Sequence, residues 1–178
     1  THRFRDWRPK GHGRVDLVSA IAQSCDVYFY ELATRLGVQR LSNFLGSFGL
    51  GARTGIDIAG EKTGLVPSPD WKRGAFKSRR AQVWFPGETV ILGIGQGYMT
   101  TTPLQLAHMA GIIGLRGTSA QPRLVRSLRD PVTRKVAPIA TKLSAGPEVG
   151  DAKNWDLAIA GMFAVTHGGT ASRSAAGA

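Results

Sequence analysis

Apolar residues recur at helical spacing through the first fifty positions, with one interruption. Val18, Ile21, Ala22 and Cys25 keep the i, i+3, i+4, i+7 rhythm of a buried stripe, and Phe29, Leu32, Ala33 and Leu36 resume it after a break at Ser24-Cys25-Asp26. The pattern predicts two helices with this triplet at their joint. Leu41, Phe44, Leu45 and Phe48 continue the spacing into a third helix, with Gly37 and Gly49 as C-terminal stops. Between residues 51 and 86 the pattern turns short and punctuated. Residues 54–58 read as a strand, and Pro67-Ser68-Pro69-Asp70-Trp71 opens a turn or short helix. Thr102-Pro103 places a hydroxyl cap before a proline at the first helical position, and Leu106, Met109, Ala110 and Ile113 supply the buried stripe of a helix ending near Gly117. Residues 123–128 and 133–137 flank Asp130-Pro131 as two antiparallel strands joined by a turn. Asn154 then caps a last helix with Trp155, Ala158, Ile159 and Met162 on one face. Helices followed by strands and another helix indicate an α/β (α+β) domain.

The joint at residues 24–26 carries the densest chemistry. A hydroxyl, a thiol and a carboxyl between two apolar helices need partners, or each costs about 1 to 3 kcal/mol. With 178 residues, 42% of them hydrophobic, the chain suffices for one domain with a real core, or part of one. It has no initiator Met, no secretory signal and no apolar run long enough to span a bilayer, so the expectation is a fragment that starts mid-protein. A net charge of +11 suits nucleic acid, an anionic membrane face or a carboxylate-bearing substrate, and does not choose among them. The basic residues are scattered except for Lys72, Arg73, Lys77, Arg79 and Arg80, which read as a solvated loop. The single cysteine, Cys25, cannot form an intrachain disulfide and is expected to be buried or metal-bound.

Two motifs carry a family resemblance. The segment from Ala20 to Tyr30, containing Ser24-Cys25-Asp26, resembles the second motif (Ser-x-Asn or Ser-x-Asp) of class B penicillin-binding proteins, especially their elongation-type members. Gly93-Ile94-Gly95-Gln96-Gly97, leading to Thr102-Pro103-Leu104-Gln105, resembles that family's glycine-rich loop and the helix after it. Gly55-Ile56-Asp57-Ile58 through Pro67 is also similar, and the likeness runs through nearly the whole chain. It implies a penicillin-binding-protein/serine β-lactamase-like transpeptidase fold, here its mostly helical part with part of the antiparallel sheet. It also implies a peptidoglycan D,D-transpeptidase working through an acyl-serine, with stem peptides and β-lactams as ligands and the cell-wall elongation machinery as partner. The parent protein would be anchored in the inner membrane with this domain in the periplasm.

Such chemistry needs a Ser-x-x-Lys nucleophile, the second motif and a Lys-Ser/Thr-Gly strand. No serine in the chain has lysine three positions on. The resemblance therefore places residues 1–178 between the Ser-x-x-Lys motif and the Lys-Ser/Thr-Gly strand, the latter following Gly168-Gly169-Thr170-Ala171 and the tail. Lys62-Thr63-Gly64 mimics the strand motif, but Pro67 and Pro69 follow too closely for a sheet interior. By resemblance Ser24 is the proton-relay hydroxyl and Asp26 the group orienting the lysine or the substrate amide; as bare residues, both also suit helix capping.

Asp6, His12 and Cys25 offer the three ligand types zinc prefers, at irregular spacing. The residues alone equally fit a buried cysteine with two surface neighbours. Resemblance to elongation-type members implies a structural zinc beside the second motif, with a fourth ligand upstream, while catalysis requires no cofactor. The glycines at 93, 95 and 97 fail the dinucleotide pattern at Tyr98 and read as close backbone packing on the active-site floor. His108 and His167 read as solvent-facing or satisfied. A basic nucleic-acid-binding module, or a noncatalytic scaffold of the same fold, is the alternative; nucleic acid is not the expected partner.

Overall fold

Asp16 opens the first helix: its carboxylate accepts the N–H of Ser19 at 2.7 Å, and α1 runs Leu17–Ala22. The computed structural model, which describes residues 4–176, shows the chain turning at Ser24, where φ is +52°, before α2 (Asp26–Leu36). The joint anticipated from the apolar pattern is thus present. The domain limits at Thr1 and Ala178 lie outside the described residues. α2 stops at Gly37 (φ +74°) and α3, Val38–Ser47, before Gly49 (φ +81°), as expected of left-handed glycine terminators. Ser68 caps α4 (Pro69–Ala75) by accepting the N–H of Trp71 at 3.1 Å; α5 (Arg79–Gln82) and α6 (Pro86–Leu92) follow.

Thr102 and Gln105 form a reciprocal capping box at the start of α7 (Pro103–Gly114). β1 (Thr118–Ala120) pairs antiparallel with β4 (Leu143–Ala145), Ser119 opposite Ser144, and β2 (Ser127–Arg129) pairs with β3 (Val136–Pro138), Leu128 opposite Ala137. The last helix among the described residues is α8 (Lys153–His167). A hairpin does turn at Asp130-Pro131 as expected, but its strands are shorter than residues 123–128 and 133–137, each keeping three residues; β1 and β4 carried no signal.

Two compact units divide these elements. The first comprises Thr1–Phe44, Pro67–Met99 and Val149–Ala178. In it α1 packs on α8 and α2 on α6. Both crossings use a glycine: a Cβ on Gly161 would lie 2.6 Å from Ile21 Cδ1, and one on Gly93 would lie 2.5 Å from Ala33 Cβ. Its core includes Ala20, Cys25, Ala33, Val90, Leu92 and Trp155. The second unit, Leu45–Val66 with Thr100–Glu148, packs α7 on β1 and buries Phe48, Leu50 and Ile112.

Four expectations need correction. Residues 54–58 are not a strand. The Glu61 carboxylate gathers the N–H and hydroxyl of Thr54 and the N–H of Gly55, whose φ is +78°, so the donors a ladder would need are taken by a turn. On α7 the buried residues are Gln105 and Ile112, while Leu106 and Ala110 are exposed, because the Gln105 amide rather than an aliphatic stripe anchors the helix. Asn154 lies inside α8. The cap position is Ala152, the Asp151 carboxylate accepts the N–H of Lys153, and Gly161 is buried where Met162 was expected. Finally, Lys72 is no loop cation: it sits on α4, 3% exposed, paired with Glu88 and bonded to Val83 O.

Candidate functional site

The end of α1 is built as a Schellman turn. Cys25 N–H reaches back to Ala20 O at 2.9 Å and Ser24 N–H to Ile21 O at 3.1 Å, and the side chains of Cys25 and Ala20 are both buried. Ser24 fills the left-handed position that glycine ordinarily takes, at a cost of about 1 kcal/mol. The next three side chains diverge. Ser24 is exposed, with Oγ 2.9 Å from Thr170 Oγ1. Cys25, 5% exposed, donates from Sγ to Asp6 Oδ2 at 3.4 Å. Asp26 Oδ2 accepts the N–H of Trp7 at 3.3 Å, and the Trp7 indole N–H is shared between Gln23 O (3.1 Å) and Ser24 O (2.9 Å). Neither Ser24 nor Asp26 caps α2 through its side chain, since the cap position belongs to Cys25. Asp26, in the first turn, faces the favourable end of the helix dipole.

Asp6, His12 and Cys25 converge. One ligand atom from each lies within 4.8 Å of the others, so the structure gathers the three residues that irregular spacing had left scattered. Gly11 and Gly13, both at φ +67°, flank His12 and turn it inward. The side chains of His12 and Asp6 are 1% and 4% exposed, which makes neither a surface neighbour. His12 Nδ1 is 3.3 Å from Asp6 Oδ2 but outside hydrogen-bond geometry, and both ring nitrogens are buried with no hydrogen-bond partner among the described residues. Two orphaned buried nitrogens beside a thiol and a carboxylate fit a cation of zinc's preferences. Burial pushes the Asp6 carboxyl up, yet hydrogen bonds from Arg8, Cys25 and Val27 together with His12 leave it below its ordinary value. Burial, with the Asp6 charge, raises the Cys25 thiol.

The sequence model of the penicillin-binding protein transpeptidase domain matches residues 1–178. The chain belongs to this family. The peptidoglycan D,D-transpeptidase MrdA of Escherichia coli K12 is 38% identical over 167 residues, which are 93% of this chain and 25% of that protein. The chain therefore spans about a quarter of that relative. Among solved structures, penicillin-binding protein 2 of Pseudomonas aeruginosa in complex with WCK 5153 superposes with a TM-score of 0.82 at 41% identity, over 99% of this chain and 39% of the other. Penicillin-binding protein 2 of Helicobacter pylori, in complex with MreC, gives 0.81 at 33% identity over 99% of this chain and 31% of the other. The transpeptidase-type fold inferred from the two motifs is thereby established.

Within this transpeptidase segment, Lys62-Thr63-Gly64 lies in a loop. Thr63 O accepts from the Gln105 amide at 2.6 Å, and only Leu65 makes a bridge, with Thr100. Gly64 (φ +60°) would drive a Cβ to 2.5 Å from Thr100 O, so the glycine serves chain packing. Gln105, 1% exposed, also donates to Ala52 O at 2.7 Å and accepts from Thr102 N–H at 2.9 Å. A glutamine in the third helical position after a threonine cap signals the capping box, but not this second use. Of the glycine loop, Gly93 is packed closely as expected, whereas Gly95 has open space around it. His108 Nε2 is 3.0 Å from Ser119 Oγ, and His167 stacks on Phe163, so both are satisfied. Trp7 and Thr170 had no signal pointing to the joint; their placement there is tertiary.

Proposed function

We propose that this chain is the second-motif segment of a peptidoglycan D,D-transpeptidase that cross-links stem peptides through an acyl-serine. The serine of a Ser-x-x-Lys segment outside these 178 residues attacks the D-Ala-D-Ala carbonyl, the terminal D-Ala leaves, and an amine from a neighbouring strand takes the acyl group. Ser24 relays the proton between nucleophile, lysine and leaving amine, and Asp26 orients the lysine or the substrate amide. The observation that carries this reading is Ser24 itself: an exposed hydroxyl held at φ +52° where glycine would cost less. β-Lactams acylate the same nucleophile. The family match and the MreC complex of the Helicobacter pylori relative support the elongation machinery as partner. In this reading the parent is anchored in the inner membrane with the domain in the periplasm; among the described residues no helix is long and apolar enough to cross a membrane.

Asp6, His12 and Cys25 hold a structural zinc with a fourth ligand from outside the chain. Bound there, a zinc would only cross-link the loop carrying Trp7 to the Ser24 turn, and catalysis needs no cofactor.

Labelled penicillin tests the assignment. The 178-residue chain should take up no stable label, the full-length protein should be labelled outside it, and Ser24→Ala in that protein should slow acylation by about 10²- to 10⁴-fold. Stable label on any serine of this chain, or undiminished acylation by Ser24→Ala, refutes the reading.

A further inference from the structure

The residues after α8 return to the Ser24 turn. Gly169 N–H donates to Ala164 O at 2.9 Å and Thr170 N–H to Ala22 O at 3.1 Å, which docks the Gly168-Gly169-Thr170 turn on the last residue of α1. A Cβ on Gly169 would stand 2.3 Å from Ala22 O and 2.8 Å from Val165 Cα. Both are backbone atoms with no rotamer to yield, so glycine alone permits this approach. Its consequence is the 2.9 Å contact between Thr170 Oγ1 and Ser24 Oγ, two residues 146 positions apart.

We propose that Thr170 is a positioning residue for the transpeptidase reaction, holding the Ser24 hydroxyl in one rotamer through both halves of the proton relay. The inference rests on the relay role of Ser24. A serine hydroxyl offers one proton and two lone pairs and rotates freely when exposed, so a relay at this position needs something to aim it. A threonine hydroxyl suits the task because it can donate or accept. When Ser24 passes its proton to the leaving amine it takes one from the lysine in the same step while Thr170 donates a hydrogen bond to its oxygen, and between transfers the Ser24 hydroxyl donates to Thr170 with its lone pairs free to accept a hydrogen bond from the lysine. The proton count of the pair is unchanged. The backbone bond from Thr170 N–H to Ala22 O fixes the threonine independently of its hydroxyl, so the hydroxyl is separable by mutation.

The test uses the full-length protein and rates of acylation by labelled penicillin across pH. Thr170→Val keeps the side-chain shape and the backbone bond; it is expected to slow acylation about tenfold and displace the pH profile at an unchanged melting temperature. Thr170→Ser should restore both. If valine crowds the turn and lowers the melting temperature, Thr170→Ala, which adds no atom, replaces it with the same expectation. Parent rate and pH profile in the hydroxyl-free variant, while Ser24→Ala is slow, overturns the Thr170 assignment and leaves the relay standing. A parent rate in Ser24→Ala overturns both.

Discussion

Replacing Lys72 by methionine tests what holds α4 against α6. The ammonium donates to Val83 O at 2.8 Å and pairs with Glu88, with the rings of Trp84, Phe85 and Tyr98 centred 5.9, 5.2 and 5.6 Å away. Glu88 uses its second oxygen to accept the N–H of Phe85 at 2.7 Å, closing the start of α6. The side chains are unequally buried, Lys72 at 3% exposure and Glu88 at 19%. Removing one member of a buried pair strands the other, at about 3 to 5 kcal/mol. Glu88 keeps the Phe85 N–H and some water, so Lys72→Met belongs near the lower end, about 3 kcal/mol. Glu88→Ala leaves the deeper charge unpaired and also removes the cap, which places it nearer about 5 kcal/mol. Lys72→Met combined with Glu88→Gln removes both charges and keeps a capping oxygen, and is expected to cost only about 1 to 2 kcal/mol. Denaturant unfolding of the full-length protein reads all three. Single variants within about 0.5 kcal/mol of the parent, or a double variant that sums its parts, would show that the pair is not desolvated and refute the reasoning.

Two further outcomes are expected. Metal analysis of the full-length protein should return about one zinc per chain and Cys25→Ser should lose it; a metal-free parent whose melting a chelator and added zinc leave unmoved sinks the ligand set. Ser24→Gly should be neutral to stabilising by about 1 kcal/mol while acylation falls as in Ser24→Ala, and destabilisation beyond about 1 kcal/mol would make the hydroxyl a structural group.

Local rules were legible in the sequence where one residue decides the backbone. Gly37, Gly49, Ser68-Pro69 and Thr102-Pro103 mark their helix ends correctly because cap geometry depends on the cap residue and little else. Periodicity failed where a polar side chain does the work of an apolar one. Gln105 is buried because three backbone groups satisfy its amide, and an apolar count on α7 therefore chose the wrong face. Residues 54–58 carry the alternation of a strand, yet Glu61 accepts the Thr54 hydroxyl and the N–H groups of Thr54 and Gly55, and Asp57 accepts the N–H groups of Leu124 and Val125; those hydrogen bonds, the Thr54 hydroxyl first for Glu61, hold both carboxyls below their ordinary values. Lys72 was misplaced for a similar reason. Its partner lies on the next helix but one, and no local pattern records that. Of the candidate site, the joint at Ser24-Cys25-Asp26 was readable from the broken apolar pattern, and ligand chemistry singled out Asp6, His12 and Cys25, whose ligand atoms the structure brings within 4.8 Å of one another. Thr170 was not, because its contact depends on how α8 returns to α1.

A left-handed residue at a helix end does more than stop the helix. It swings the following peptide out of line, so successive side chains leave the turn in different directions. Here that divergence sends Ser24 to the turn after α8, Cys25 inward to Asp6, and Asp26 to the backbone of Trp7. Glycine would give the same path at lower cost but nothing to point toward the C-terminal turn. Extending α1 smoothly through residue 24 would keep a side chain but lose the divergence. Serine in the left-handed position meets both demands, and the Trp7 indole, bonded to the carbonyls of Gln23 and Ser24, steadies the peptide that carries the strain. The three residues are thus coupled through one backbone conformation. A change that relaxes φ at Ser24 must disturb the proposed relay hydroxyl and the proposed Cys25 ligand together, even though their side-chain hydrogen bonds go to different residues, Thr170 and Asp6.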